Sequence, residues 1–197
     1  MSRDPAPDFL VLGLGNPGDR YRDTRHNLGF LLVERMAQRQ GARFENGPGP
    51  SRICSFTVAG LRGILAQPLT WMNRSGLAAR SLLDHAGGPD VSRLLAVTDD
   101  LDLPLGRIRF RGGGGPGGHN GLRSMIEELG TRDFPRLRIG IGRPESDGRE
   151  DVVEWVLEPF RPEEWPVVEE CLARAEDGVA TFLEDGIEAA QNRFNTG

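Results

Sequence analysis

Residues 9–41 read FLVLGLGNPGDRYRDTRHNLGFLLVERMAQRQG, and the pattern in this stretch decides the fold class. Phe9-Leu10-Val11-Leu12 is apolar at every position and stops at Gly13, as expected of a strand buried on both faces of a sheet. A polar loop follows. Leu28, Leu31, Leu32, Val33 and Met36 then recur at helical spacing, with Asn27 in the N-cap position and Gly41 as the C-terminal stop. Strand, loop and helix in this order open an α/β fold, in which the loops at strand ends carry the chemistry.

Outward from this unit the alternation continues. Ile53 to Ala59 and Ile64 to Ala66 flank the turn-like Gly60-Leu61-Arg62-Gly63, which predicts two antiparallel strands, and a helix is predicted from about Ser75 to Ala86. Leu94 to Val97 reads as another buried strand, and Arg107-Ile108-Arg109-Phe110-Arg111 alternates charged and apolar residues. A glycine-rich loop leads into a helix over Leu122 to Leu129, then a strand from Leu137 to Ile141. The polar segment Arg143 to Asp151 is expected to be a mobile loop. Beyond Pro162, Val167, Val168, Cys171, Leu172, Ala175, Val179 and Phe182 keep a helical period. The expectation is one three-layer α/β domain over residues 1–197, with a mixed, mostly parallel central sheet flanked by helices.

Bulk properties narrow the function. A chain of 197 residues with 38% hydrophobic content suits a single core. MSRDPAPDF lacks a basic start followed by an apolar run, and no stretch approaches the ~18 apolar residues of a membrane span, so a cytoplasmic protein without membrane contact is expected. Cys54 and Cys171 are too few for a disulfide framework and have no CxxC spacing, which fits buried thiols in a reducing compartment. The net charge of −5 gives no global attraction to nucleic acid, so charge placement matters more than its total.

Several motifs bear chemistry, and each has a plainer reading. Gly13-Leu14-Gly15-Asn16-Pro17-Gly18 matches GxGxxG after a strand, but the polar run Asp19 to Arg25 intervenes before the helix and Glu34 falls in mid-helix, out of a ribose's reach. A substrate loop and a tight structural turn remain beside dinucleotide binding. His26, in a polar loop before an apolar helix, suits a general base titrating near neutrality, or a surface or capping residue. Asp99, Asp100 and Asp102 follow a buried strand and can orient a histidine, hold Mg²⁺, or form a solvated acidic loop. Gly112 to Gly118 lacks the Gly-Lys-Ser/Thr ending of a nucleotide loop. It leads instead into His119-Asn120-Gly121, where Asn120 can offer its amide to a water or a carbonyl oxygen, or cap the next helix. In an extended strand Arg107, Arg109 and Arg111 share a face, with Arg138 on a neighbouring strand, which makes either a local cationic patch or a salt-bridged solvent face. His85 reads as a C-terminal helix residue without a functional role.

The fragments GLGNPGDRYRDTRHNLGF, PLTWMNRSG, TDDLDLPLGRIRF, GGHNGLRSM and RLRIGIGRP, in this order, closely resemble bacterial peptidyl-tRNA hydrolase, and the closing AAQNRFN is similar to the family's final helix. The resemblance spans nearly the whole chain. It implies an ester hydrolase acting on peptidyl-tRNA, with tRNA as partner and no metal or organic cofactor; no DNA partner is expected, and a monomer is the default state because the residues do not set an oligomeric one. By the same resemblance His26 accepts the proton of water, Asp99 orients the imidazole, and Asn120 positions water or stabilises the oxyanion. Asn16 and Asn73 hydrogen-bond the peptide beside the ester with Met72 packed next to them. Tyr21 and Trp71 contact the tRNA end, and Arg109, Arg111 and Arg138 stand where the family clamps tRNA phosphates. Asn16 is also implied in telling a blocked from a free amino group. Thr98, Asp100 and Pro116 depart from the common pattern without replacing a catalytic position; Pro116 is expected to stiffen the glycine loop. A non-catalytic RNA-binding relative, like plant organelle splicing factors that resemble the same family, is the alternative.

Overall fold

The computed structural model describes residues 7–58, 60–88, 90–144 and 148–196. In chain order the elements are β1 (Phe9–Gly13), α1 (Leu28–Arg39), β2 (Glu45–Asn46), β3 (Ser51–Val58), β4 (Leu61–Pro68) and α2 (Ser75–His85). Then come β5 (Leu94–Asp100), β6 (Ile108–Arg111), α3 (Asn120–Leu129), β7 (Arg136–Gly140), α4 (Arg149–Leu157) and α5 (Trp165–Phe194). Among the described residues the strands form one seven-stranded sheet in the order β2-β3-β4-β1-β5-β7-β6. The central β4, β1, β5 and β7 are mutually parallel, and β3 and β6 run against them. This is the expected mixed, mostly parallel α/β sheet in a single domain.

The sheet is covered on both faces, which explains why β1 and β5 carry apolar side chains in both directions. On one face Val11, Leu65, Leu95 and Val97 pack with residues of α1 and α5. On the other, Leu10, Leu12, Ala66 and Ala96 pack with α2 and α3. Alternate residues of each strand therefore feed opposite layers. Cys54 and Cys171 are buried and free, one beneath α1 and the other on α5, and burial pushes the Cys171 thiol up to about 11.

Three local expectations change. The hairpin turn is tighter than its glycines suggest, because Leu61, Arg62 and Gly63 already pair with β3. Gly63 sits in the strand because a side chain there would meet the Phe56 ring at 2.2 Å. β5 runs on through Asp99 and Asp100, so these carboxylates lie at the end of the strand itself and pair in register with Ile139 and Gly140. Of the segment expected to be a loop, 145–147 lie outside the described residues, while 149–151 open helix α4. The expected closing helix is present: α5 is kinked at Gly186, whose φ of 85° only glycine adopts readily, and AAQNRF forms a helical run beyond it.

Candidate active site

A close approach of backbone positions the first catalytic candidate. A Cβ on Gly13 would lie 2.2 Å from the Gly29 carbonyl oxygen, and one on Gly29 would lie 2.4 Å from the Leu14 amide nitrogen. Only glycine at both positions lets α1 start directly against the end of β1. The short 3₁₀ turn Arg25–Asn27 is thereby held over the end of β5 and is buried throughout. His26 sits in the middle of that turn.

The His26 Nδ1 atom lies 2.8 Å from Asp99 Oδ1, and His119 Nε2 lies 3.0 Å from the same oxygen. His119 Nδ1 accepts the amide protons of Gly121 (3.1 Å) and Leu122 (3.2 Å), which makes it the unprotonated nitrogen and assigns the proton to Nε2, donated to Asp99. His26 likewise donates from Nδ1, which leaves the lone pair on Nε2 in a ring that lines the adjacent cavity. Burial alone would lower the His26 pKa, but the Asp99 charge and its hydrogen bond outweigh that and hold it above 6.5. Burial would raise Asp99, yet His26 and His119 together hold its carboxyl well below the ordinary range. The ligand atoms of these three residues lie within 4.8 Å of one another, a spacing that also suits a metal. With Nδ1 of His119 committed to two backbone amides, however, its Nε2 is a proton donor rather than a lone-pair ligand.

A second chain of hydrogen bonds runs from the residue after His26. Asn27 occupies the N-cap position of α1 but makes no side-chain cap. Its amide instead grips the backbone of Asn16, accepting from Asn16 N at 2.8 Å and donating to Asn16 O at 3.0 Å. Asn16 in turn accepts from the Met72 amide through Oδ1 at 2.8 Å, which leaves its Nδ2 protons for other partners. Met72 is buried, and its sulfur closes against Gly121 at the start of α3, where a Cβ would approach within 2.6 Å. Asn73, next in the turn, is exposed. Tyr21 and Trp71 meet edge to face with ring centroids 5.9 Å apart, and the Arg20 guanidinium lies 4.5 Å from the Tyr21 centroid. Trp71 is 52% exposed, a large aromatic surface offered to solvent.

His26, Asp99, His119, Asn120 and Arg138 line one cavity of about 330 Å³, with Val152, Val153 and Val156 of α4 adding apolar lining. Asn16 faces a neighbouring hollow of about 200 Å³ together with Asn27 and Glu34. Asn120 does not cap α3; His119 does, and Asn120 stands exposed with Oδ1 accepting from Arg123 at 3.2 Å. Its Nδ2 protons are left to point at a ligand. The glycines that precede it are needed as glycines, since Gly114, Gly117 and Gly118 all have positive φ. Pro116 accepts the His119 amide at 3.0 Å and so fixes the turn that launches α3.

Sequence reasoning missed two of these residues. In the sequence His119 stands out only as the neighbour of Asn120. Its signal was its place just before a helix start, where a side-chain acceptor is favoured. Arg25 carried no signal at all: it is fully buried, stacks 3.8 Å from the Trp155 ring centroid, and donates to Pro159 O (2.9 Å) and Glu164 Oε2 (2.8 Å). It ties the end of α4, and hence the apolar lining, to the turn that holds His26.

The arginines separate. Arg138 lines the cavity and is paired with Asp100 at 2.7 Å; burial nonetheless raises the Asp100 pKa. Arg109 lies opposite Arg138 in the β6–β7 register, and Arg111 opposite Arg136. Arg111 is exposed, whereas Arg136 is buried against Gly115 O and Arg132 O, and desolvation lowers its pKa to about 10. Thr98 is buried, and its Oγ1 finds no hydrogen-bond partner among the described residues.

The glycines of GLGNPG serve packing. Gly15 lies against the Phe30 ring, at 2.7 Å from a Cβ position, and Gly18 leads into the short 3₁₀ turn Asp19–Tyr21 rather than a helix N-terminus that could receive a pyrophosphate. What remains is an aspartate-oriented histidine beside a cavity at the strand ends of an α/β sheet, the arrangement of an enzyme that works by general-base chemistry. The sequence model of the family described as peptidyl-tRNA hydrolase matches residues 10–197. The peptidyl-tRNA hydrolase of Chloroflexus aggregans is 46% identical over 95% of this chain and 98% of its own, and that of Frankia casuarinae 45% over 95% and 93%. The crystal structure of peptidyl-tRNA hydrolase from Acinetobacter baumannii superposes with a TM-score of 0.85 at 34% identity, covering 99% of this chain and 98% of that one. The chain belongs to the peptidyl-tRNA hydrolase family.

Proposed function

We propose that the protein hydrolyses the ester joining a peptide to the terminal ribose of tRNA, returning tRNAs stranded by abortive translation. The observation that carries this is His26, held through Nδ1 by Asp99 in a ring that lines the cavity, which leaves Nε2 as its basic nitrogen. Nε2 removes a proton from a water as its oxygen attacks the ester carbonyl. The C–O bond to the ribose then breaks, and the proton passes to the leaving oxygen, giving free peptide acid and an intact ribose hydroxyl. Asp99 stabilises the imidazolium formed in between. The free Nδ2 protons of Asn120 stabilise the oxyanion. An ester has a much better leaving group than an amide, so a base and an oxyanion donor suffice without a covalent intermediate.

Asn16 offers only N–H donors to the substrate, because its carbonyl is held by Met72. A peptide carbonyl accepts from these protons, whereas a free ammonium meets donors facing donors. Asn73 and Met72 complete that wall. The exposed Trp71 with Tyr21 suits stacking on the bases of the tRNA end. Arg109, Arg111 and Arg138 serve the phosphates. No helix among the described residues is long and apolar enough to cross a membrane, and a cytoplasmic monomer acting without metal or cofactor and without DNA is the working picture.

The test is release of the acyl group from N-acetylaminoacyl-tRNA and from the unblocked aminoacyl-tRNA by the purified protein. Release from the blocked substrate alone is expected. Binding of tRNA without release from either would be the behaviour of a non-catalytic RNA-binding relative and would overturn the hydrolase reading.

A further inference from the structure

We propose that the hollow beside Asn16 is a subsite for the second residue of the peptide, counted from the ester, and that Glu34 accepts the backbone N–H of that residue. The proposal deepens the hydrolase reading and rests on it. The hollow measures about 200 Å³, and its lining includes Asn16, Asn27, Phe30, Glu34, Arg52 and Leu69. That is room for several waters at ~30 Å³ each, and so for a small peptide unit. Phe30 and Glu34 stand four residues apart on α1, so one face of the helix supplies both. Asn27 follows His26 directly, and the 3₁₀ turn that brings the base to the catalytic cavity therefore also borders this hollow.

Glu34 is held in place without being saturated. Its Oε1 accepts from Gln67 Nε2 at 3.0 Å and from Arg52 Nη2 at 3.5 Å. Gln67 is fully buried; its Nε2 also reaches Phe30 O at 3.4 Å, and its Oε1 accepts from the same Arg52 guanidinium. A buried amide bonded at both ends fixes its partners, which an ion pair between two partly exposed side chains does not do alone. The Glu34 side chain is still 32% exposed, and its Oε2 has no partner among the described residues. With Arg52 compensating its charge, this oxygen suits a neutral N–H donor. Asn16 is its complement, since the free Nδ2 protons seek an acceptor. A peptide supplies the two groups in that order. The carbonyl given to Asn16 and the N–H given to Glu34 belong to the same residue and are separated by a single Cα. A lone acetyl group has the carbonyl and lacks the N–H.

The test places three acyl groups on one aminoacyl-tRNA: acetyl, acetylglycyl and 4-oxopentanoyl, the last being acetylglycyl with a methylene in place of its N–H. Values of kcat/KM for acyl release are measured for wild type and for Glu34→Gln, which keeps an oxygen for Gln67 and turns the other into a donor. In wild type, acetylglycyl is expected to exceed 4-oxopentanoyl by about ten-fold, as a hydrogen bond to a charged group does. In Glu34→Gln that ratio should fall to about one. Equal values for the two longer groups in wild type overturn the subsite without recourse to any variant. A ratio that persists in Glu34→Gln takes Glu34 out of it. Failure of the hydrolase reading looks different, because none of the three acyl groups, acetyl included, is then released.

Discussion

Asp99 decides how His26 behaves, because its single oxygen Oδ1 takes both imidazoles. A general base works in its neutral form, so an imidazole pKa raised above its ordinary value by the Asp99 charge moves the acid limb of the rate profile up with it. Asp99→Asn removes the charge and leaves burial, which lowers the imidazole pKa. The acid limb of kcat/KM should therefore move to lower pH while the maximum falls by about 10²-fold or more, as the histidine loses its orienting partner. A limb that does not move would show that the two residues are uncoupled. Asn16 sets the other residue-scale expectation. Asn16→Asp keeps an acceptor for the Met72 amide but turns the substrate-facing group from donor to carboxylate. Its preference for blocked over free aminoacyl-tRNA should collapse, measured as the ratio of the two kcat/KM values. An unchanged ratio would mean that discrimination lies elsewhere. His119 was hard to see in the sequence because both its jobs are tertiary or depend on the helix start. Asp99 is distant in sequence, and the backbone amides it receives become free only once α3 forms.

Among elements, those with a local pattern were legible and those defined by their neighbours were not. β1 and α1 carry the apolar run and helical spacing that burial on the sheet demands, so their bounds could be read to within two residues. Helix α4 could not, because its valines pack on a cavity and Val153 is half exposed, which leaves no clear stripe. Its position depends on Arg25. The charge of Arg25 is fully buried, and its partner Glu164 is mostly buried, so removing one leaves the other uncompensated. Arg25→Met should cost about 3 kcal/mol in denaturant unfolding, and Arg25→Lys somewhat less, because a lysine keeps the charge but loses the fork and the stacking on Trp155. Faster hydrogen exchange confined to α4 should accompany both. Stability within about 0.5 kcal/mol of wild type in Arg25→Met would remove this clamp from the account.

At the scale of the whole molecule, an acidic protein gathers cations on one edge of its sheet through placement of charge. The β6–β7 edge gathers Arg107, Arg109, Arg111, Arg136 and Arg138, of which Arg138 is neutralised by Asp100 and Arg136 is buried. The exposed Arg111 should therefore bind a phosphate directly. Arg111→Gln should weaken tRNA binding and reduce the salt slope by about 0.7–0.9. A salt slope identical to wild type would take Arg111 out of the interface. Strand alternation made the shared face of these arginines legible, but the division into paired, buried and free members is set by Asp100, Gly115 and α5, which only folding brings near. The account as a whole stands on His26 as the base. Its most direct test is single-turnover release of N-acetylamino acid from its tRNA, with enzyme in excess, by wild type and by His26→Ala. The rate constant should fall by at least about 10²–10⁴ while tRNA affinity is retained; a variant that releases the acyl group within a few-fold of wild type would contradict it.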